Sequence, residues 1–129
     1  MSTMIFGVGT DIVQVARMRK NLAQHGEKFA QRILTDSELQ EFRRQLNQAH
    51  FLAKRFAAKE AAAKAMGIGF SNGLSFHHIG VAHDAGGKPM LEFSGYALEF
   101  ITQKGINAVH ISLADEQDYA VAFVTLGTD

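Results

Sequence analysis

Residues 51–69 read F-L-A-K-R-F-A-A-K-E-A-A-A-K-A-M-G-I-G and predict one long helix around which the chain folds. Alanine, lysine, leucine and methionine are strong helix formers, and Gly67 stands where a left-handed C-terminal cap belongs. Alanine covers most of the helix circumference, so the helix is apolar nearly all round. We therefore expect this helix to lie buried at the centre of the fold.

Glu60 is a carboxylate inside this apolar helix, between Phe56 and Ala53 at about 100° per residue. A carboxylate in such a setting is costly unless it is paired or binds a metal ion. Lys64 lies one turn further on, and an ordinary i,i+4 pair is worth only about 0.2–0.5 kcal/mol. The spacing alone leaves the helix pair and the metal site both open.

The 129 residues predict one domain, residues 1–129, with an apolar content of 47% that is ordinary for a globular protein. The chain has no cysteine, which excludes a disulfide framework and a thiolate metal site. No apolar run reaches the roughly 18 residues of a membrane span, and the N-terminus M-S-T-M-I-F-G does not have the pattern of a signal peptide. We expect a cytoplasmic protein that does not bind membranes.

The charges are distributed unevenly although the formal net charge is zero. Residues 1–64 contain eleven of the 13 Lys and Arg but six of the 13 Asp and Glu, which leaves the first half at +5 and the second at −5. A basic half favours an acidic partner, and a solvated charged face is the alternative. No aromatic residues interleave with these charges, so nucleic acid is not the expected partner.

The segments around the central helix predict an α+β fold, with helices early and an antiparallel sheet late. A strand begins over residues 4–8, is closed by Gly9 and enters a loop, with Asp11 at the C-terminal end of the strand, where it could instead cap the next helix. Weakly periodic helix follows over residues 14–33, and a capping box at residues 35–38 opens a helix with an apolar inner face made of Leu39, Phe42 and Leu46.

After the central helix, the pattern changes to strands and turns. We predict a strand over residues 76–82, a hairpin loop over 84–89 with a return strand through Phe93, a helix from Ser94 to Gly105, and a final hairpin of residues 109–113 and 119–123. Strand alternation puts His110 on the sheet face opposite Val109 and Ile111. A lone strand histidine is more often structural than catalytic.

Two acids placed against apolar sequence, Asp11 and Glu60, are the strongest candidates for chemistry. Carboxylate oxygens suit Mg²⁺, which takes its further ligands from water and substrate phosphates. The glycines after the central helix lie at its negative C-terminal end, which repels anions. A bound phosphate would therefore need the metal or a lysine, for which the candidates are Lys59, Lys64 and Lys88.

Five motifs occur in order over nearly the whole chain: G-V-G-T-D-I-V with Arg17 downstream, F-A-Q-R-I-L-T-D-S-E, R-F-A-A-K-E-A-A-A-K-A-M-G-I-G, G-K-P, and H-I-S-L-A-D-E-Q-D-Y-A-V-A. This sequence resembles the bacterial holo-[acyl-carrier-protein] synthases, the small class of 4′-phosphopantetheinyl transferases. The resemblance implies the fold of that class, a long buried central helix packed on a mostly antiparallel sheet.

The resemblance also implies a reaction that supports fatty acid biosynthesis. In it, 4′-phosphopantetheine moves from coenzyme A to a serine of an acidic apo-acyl carrier protein, and adenosine 3′,5′-bisphosphate is released. The matching residues imply the following roles: Mg²⁺ ligands Asp11 and Glu60, phosphate contacts Lys64 and His110, nucleotide contacts Gly67, Gly69, Lys88 and Pro89, and a carrier-protein contact Arg17. Glu60 is also a candidate acceptor for the serine proton. The class forms homotrimers with sites between subunits.

The chain departs from the family pattern at Gln14, where many relatives have glutamate, and at Ala114 and Asp115, where many have serine and histidine. The second departure leaves His110 as the histidine of this segment. One alternative function is a non-catalytic module of the same fold that binds coenzyme A or a carrier protein. Another is an unrelated small thioesterase with Asp11 or Glu60 as its base, which would work without Mg²⁺.

Overall fold

A computed structural model describes residues 4–71 and 73–128 of the chain. Its five strands and five helices follow in the order β1 (Met4–Gln14), α1 (Val15–His25), α2 (Glu27–Ile33), α3 (Asp36–Arg43), α4 (Gln48–Met66), β2 (Ile79–His83), β3 (Pro89–Phe93), α5 (Gly95–Gln103), β4 (Ala108–Asp115) and β5 (Tyr119–Thr128). Among these residues, no helix is both long and apolar enough to cross a membrane.

The predicted central helix is α4, and it begins three residues before the predicted start. The Asn47 side chain caps it by accepting a hydrogen bond from the backbone N–H of His50 (3.2 Å). Gly67 ends it in the left-handed conformation, with φ of 80°, as predicted. All eight alanines of α4 are buried, so the helix forms the centre of the core.

The main sheet has the strand order β1-β5-β4, with both pairs antiparallel, while β2 and β3 form a separate hairpin. Helix α4 packs against β1 and β5. The side of the sheet that it covers, here called the inner face, carries the fully buried residues Ala120, Ala122, Val124 and Leu126 of β5. The predicted α+β fold with a buried helix on an antiparallel sheet is confirmed.

Two glycines allow β1 to approach α4 unusually closely. A Cβ atom at Gly7 would lie 1.9 Å from the carbonyl oxygen of Ala65, and one at Gly9 would lie 1.8 Å from that of Ala61. Any other residue at these positions would therefore push the strand and the helix apart. The G-V-G sequence thus brings the C-terminal half of α4 directly against the residues that follow Gly9.

Three local predictions were wrong. The first strand does not close at Gly9 but continues to Gln14, so Asp11 lies within β1 and does not cap α1. Leu46 is not on an inner helix face; it is 106% exposed, because α3 ends at Arg43. Residues 76–78 form a single 3₁₀ turn before β2, so the two histidines there are not strand residues.

Candidate active site

Asp11 and Lys64 meet where β1 crosses α4. Asp11 is paired with the buried Ala122 of β5, so its side chain is on the inner face of the sheet, towards the helix. The ammonium of Lys64 donates to Asp11 Oδ1 (3.1 Å) and to the carbonyl oxygen of Thr10 (3.0 Å). Within the described residues Lys64 forms its ion pair with Asp11 and none with Glu60, so the simple helix pair is wrong.

Glu60 lies one helical turn before Lys64 and is half-buried. Burial raises the pKa of the Glu60 carboxyl above its ordinary value, and the neighbouring carboxylate of Asp11 raises it further. The cations of Lys64 and Arg17 act in the opposite direction on this pKa. The site therefore holds two close carboxylates whose mutual repulsion an additional cation would relieve.

The two carboxylates fit a magnesium ion better than a closed metal centre. Among residues 4–71 and 73–128, no group of three or more His, Asp or Glu side chains is arranged to hold a metal ion. Asp11 and Glu60 would therefore supply only two protein ligands. This number suits Mg²⁺, which is usually bound through one or two carboxylates, water and substrate phosphates.

Arg17 is the second basic group at this site. Its guanidinium carbon lies 5.3 Å from the centre of the Phe56 ring, a cation–π distance. Phe56 stacks on Phe76 at 5.6 Å, and Phe76 stacks on Phe70 at 3.8 Å. We call Phe56, Phe76 and Phe70 the aromatic stack; it connects α1 and α4 with the loop that follows Gly69.

Gly67 and Gly69 lie just after the Lys64 turn of α4. Together with Ile68, Ser71 and Tyr96 they line a cleft of about 330 Å³. Both glycines are exposed, and a Cβ atom at Gly67 would meet nothing within 4 Å. The predicted nucleotide contacts at these two positions are thus open to a ligand beside Lys64.

Lys88, Pro89 and His110 line a different cleft, of about 400 Å³, with Asp84, Asn107 and neighbouring strand residues. His110 is paired with Thr125, and its side chain is therefore on the face of the sheet opposite the inner face. Asp11 and His110 of one chain are separated by the sheet itself. The structure brings together Asp11, Glu60, Lys64 and Arg17, and it places the histidine elsewhere.

Comparison with known proteins identifies the family of the chain. Residues 7–124 match the family model of the 4′-phosphopantetheinyl transferase superfamily. A holo-[acyl-carrier-protein] synthase of Vibrio cholerae serotype O1 (strain O395) is 53% identical over 123 residues, which cover 95% of this chain and 98% of that protein. The chain belongs to the 4′-phosphopantetheinyl transferase superfamily.

Solved structures of such transferases have the same fold. The crystal structure of a holo-[acyl-carrier-protein] synthase from Neisseria meningitidis is 47% identical, with a TM-score of 0.89 over 95% of this chain and 98% of that one. A holo-(acyl-carrier-protein) synthase from Bacillus anthracis, in complex with CoA (3′,5′-ADP), is 37% identical, with a TM-score of 0.81 over 98% and 99% of the two chains. The predicted family and the predicted enzyme class are confirmed.

One lysine that we considered as a phosphate contact in this transferase is not available. Lys59 is 0% exposed, and its ammonium donates to Glu38 Oε1 (2.6 Å), the carbonyl oxygen of Ile33 (2.6 Å) and that of Phe76 (3.1 Å). All three hydrogens of the ammonium are therefore used inside the protein. Lys59 cannot reach a substrate, because residues from α2, α3 and the 3₁₀ turn enclose its ammonium group.

Asp115, which departs from the family pattern, contacts a histidine of the central helix. Asp115 Oδ2 lies 2.7 Å from Nε2 of His50, which is in the first turn of α4. Asp115 also lines a cavity of about 430 Å³, together with Pro89 and the side chains of Lys54, Arg55 and His83. Sequence reasoning missed this recess, because its members come from α3, α4, the β2–β3 hairpin and β4. The signal in the sequence was the K-R pair at positions 54 and 55.

Proposed function

We propose that this chain transfers 4′-phosphopantetheine from coenzyme A to the serine hydroxyl of an apo-acyl carrier protein. The serine oxygen forms a bond to the phosphorus that carries pantetheine, the bond from that phosphorus to the adenosine 3′,5′-bisphosphate group breaks, and the serine proton passes to a base. The observation that carries the proposal is the convergence of Asp11, Glu60 and Lys64 at the crossing of β1 and α4. Phosphoryl transfer depends on positioning and charge neutralisation, which such a site provides.

The chain's own residues divide the work. Lys64, whose side chain is 54% exposed, can donate to a phosphate oxygen of coenzyme A while Asp11 holds it in place. Gly67 and Gly69 leave room for the donor beside it. Arg17 and its basic neighbours on α1 would bind the acidic carrier protein and orient its serine towards Glu60, a candidate acceptor for the serine proton.

Asp11 and Glu60 would hold Mg²⁺ on the diphosphate, and the ion would supply neutralisation of the charge that develops on the phosphate oxygens. Support comes from the donor set, since two oxygen ligands and no sulfur match this ion. The raised pKa of Glu60 also supports a bound cation. Burial and the Asp11 carboxylate both disfavour a negative charge on Glu60, and a cation between the two carboxylates would offset this effect.

Mass spectrometry of an apo-acyl carrier protein tests the reaction. Incubation with this protein, coenzyme A and Mg²⁺ should add one phosphopantetheine to serine, and excess EDTA should prevent the addition. Coenzyme A incubated without the protein is the control for chemical transfer. An acyl-CoA that is cleaved in EDTA, with no gain of mass on the carrier, would identify the chain as a thioesterase and overturn the proposal.

We further propose a homotrimer whose sites combine two subunits. The face of the sheet opposite the inner face, here called the outer face, exposes apolar side chains in a row: Ile12 is 63% exposed and Phe123 is 46% exposed. A second copy of the chain would bury them. The outer face also carries His110, so an adjacent subunit could supply Lys88, Pro89 and His110 to the acids and Lys64 of its neighbour.

Subunit mixing tests this arrangement. Glu60→Gln and His110→Ala subunits should each be inactive alone. When equal amounts are denatured together and refolded, about a quarter of wild-type transfer should return. Random mixing pairs an intact Glu60 from one subunit with an intact His110 from its neighbour in about one site out of four. No recovery would show that both residues act from one chain. Phe123→Asp should lower the mass measured by analytical ultracentrifugation, whereas Leu98→Asp, which is similarly exposed on α5, should not.

The setting of the reaction completes the proposal. We propose that residues 1–129 act as one transferase domain, in the cytoplasm, and that the product serves fatty acid biosynthesis. The basic first half of the chain supports an acidic protein as partner, with neither nucleic acid nor a membrane required. A competition assay tests this choice: an acidic carrier protein should displace labelled carrier from the enzyme, and a single-stranded oligonucleotide of equal charge should not.

A further inference from the structure

The C-terminal half of α4 carries the candidate site, yet little side-chain bulk holds it in place. Between Phe56 and Met66, six of the nine residues are alanines that are at most 3% exposed. Alanine methyl groups form a smooth surface without the ridges that fix how a helix sits against its neighbour. The remaining three residues are Lys59, Glu60 and Lys64, and only Lys59 is fully buried.

The Glu38–Lys59 pair has all its hydrogen-bonding groups satisfied by several parts of the fold. Glu38 Oε1 accepts from Lys59 (2.6 Å) and from the backbone N–H of Thr35 (2.9 Å), and Glu38 Oε2 accepts from that of Val81 (2.9 Å). Lys59 also donates to the carbonyls at Ile33 and Phe76, so the pair joins α2, α3, β2 and the 3₁₀ turn to α4.

The pair is also connected to the rest of the site. Phe76, whose carbonyl accepts from Lys59, is the middle ring of the aromatic stack that contacts Arg17 and leads to the loop after Gly69. Glu60 is the next residue after Lys59. A shift of the Lys59 backbone would therefore move Glu60 and the loop after Gly69 together.

Stability alone does not explain why such a pair is present. Burial lowers the pKa of Lys59, although the Glu38 carboxylate partly opposes this effect. Replacing a buried ion pair with neutral residues of similar volume is often neutral or stabilising, whereas a pair fixed by several acceptors specifies one arrangement. A magnesium site needs such precision, since displacement of a reacting group by about 1 Å can cost about 10²-fold in rate.

We infer that Glu38 and Lys59 are positioning residues: their buried pair fixes the rotation and depth of α4, and so sets Glu60 opposite Asp11. The inference rests on the proposed function, because it concerns the same site. It assigns neither residue any contact with substrate. It predicts that neutralising the pair loosens the catalytic half of α4 even where the protein keeps its stability.

The test uses Glu38→Gln/Lys59→Met, which removes both charges at nearly constant volume. Glu38→Gln alone, which keeps the size of the side chain, serves should the double variant fail to fold. The control is Glu27→Gln/Arg43→Met, which removes an exposed ion pair of comparable contact (2.5 Å). All proteins are compared at a temperature where they are fully folded. The measurements are kcat, KM for the carrier protein, the Mg²⁺ concentration for half-maximal rate, and amide hydrogen exchange without metal.

We expect the pair variants to lose kcat by roughly 10- to 100-fold and to need more Mg²⁺, while KM for the carrier protein stays near wild type. Exchange of the amides of residues 60–66 should become faster than in the control at equal global stability. Wild-type kcat and exchange in a folded variant would overturn the inference. The proposed function fails differently, through absence of transfer by the wild-type protein itself.

Discussion

Lys59 and Lys64 lie five residues apart on one helix, each beside a carboxylate, and the fold gives them opposite properties. Lys59 is fully enclosed, with its three hydrogens bonded to Glu38 and two carbonyls. The Lys64 side chain is 54% exposed and bonds to Asp11 and one carbonyl. The first ammonium has no donor left for a ligand, and the second has one.

This difference shows how one helix serves as both scaffold and site. The enclosed pair is surrounded by α2, α3, β2 and the 3₁₀ turn, whereas the open pair faces only β1 and solvent. The ammonium of Lys59, enclosed by several elements, fixes how those elements are arranged. The ammonium of Lys64 keeps one free donor beside the half-buried Glu60 and can bind a phosphate. The residue types alone do not distinguish the two lysines.

Glu60→Gln should have the largest effect, because it disables the open site while leaving the enclosed pair intact. Transfer measured by the mass shift of the carrier protein should fall by roughly 10²–10⁴-fold, since metal binding and proton acceptance both suffer. Glu99→Gln, an exposed glutamate on α5, is the matched control. Retention of most of the activity would remove Glu60 from the site.

Lys59→Met and Lys64→Met compare the two lysines directly. Removing Lys59 leaves the buried Glu38 with only Arg55, whose Nε lies 3.7 Å from Glu38 Oε2, as a cationic partner, and should reduce the free energy of unfolding by about 3 kcal/mol. Removing the exposed Lys64 should change it by less than about 1 kcal/mol but slow transfer by roughly 10²-fold. Urea denaturation and the mass-shift assay measure the two quantities, and equal loss of stability in both variants would contradict the comparison.

Arg17→Ala tests the edge of the open site with a smaller expected effect. KM for the carrier protein should rise about fivefold, which corresponds to about 1 kcal/mol, while KM for coenzyme A stays nearly unchanged. Added salt should weaken carrier binding by wild type more than by the variant. Arg44→Ala, an exposed arginine at the end of α3, serves as control. If only the affinity for coenzyme A fell, Arg17 would bind coenzyme A and not the carrier protein, and the proposed role would be wrong.

The pH dependence of stability should show the smallest effect. The pKa of Glu60 is raised in the folded protein, so metal-free wild type loses stability as pH rises from about 4.5 through the raised value. Glu60→Gln does not have this loss and should melt at or above the wild-type temperature in EDTA at pH 8. The gap should close towards pH 4, where Glu60 is protonated in both states. A variant that melts lower at pH 8 would mean that Glu60 mainly stabilises the fold.

Much of the molecule follows from local sequence. Helix α4 and its Gly67 cap, the capping box of Thr35 and Glu38, and the final hairpin were predicted because helix propensity, caps and strand alternation are properties of near neighbours. The choice of Asp11, Glu60 and Lys64 came from acids in apolar sequence and from family resemblance. The extent of β1 was missed, because its pairing with β5 extends the strand through Gly9 and Asp11.

The sequence by itself determined that a long alanine-rich helix would be buried. It also determined that two acids in apolar sequence, Asp11 and Glu60, would need a cationic partner or a metal ion. Only the tertiary structure decided which lysine is enclosed, since that depends on Glu38, Ile33 and Phe76 arriving at one point from distant parts of the chain. It also decided that Asp11 faces α4 while His110 is on the outer face. Periodicity assigns residues to the two faces of one strand, but only pairing between strands fixes which face meets the helix.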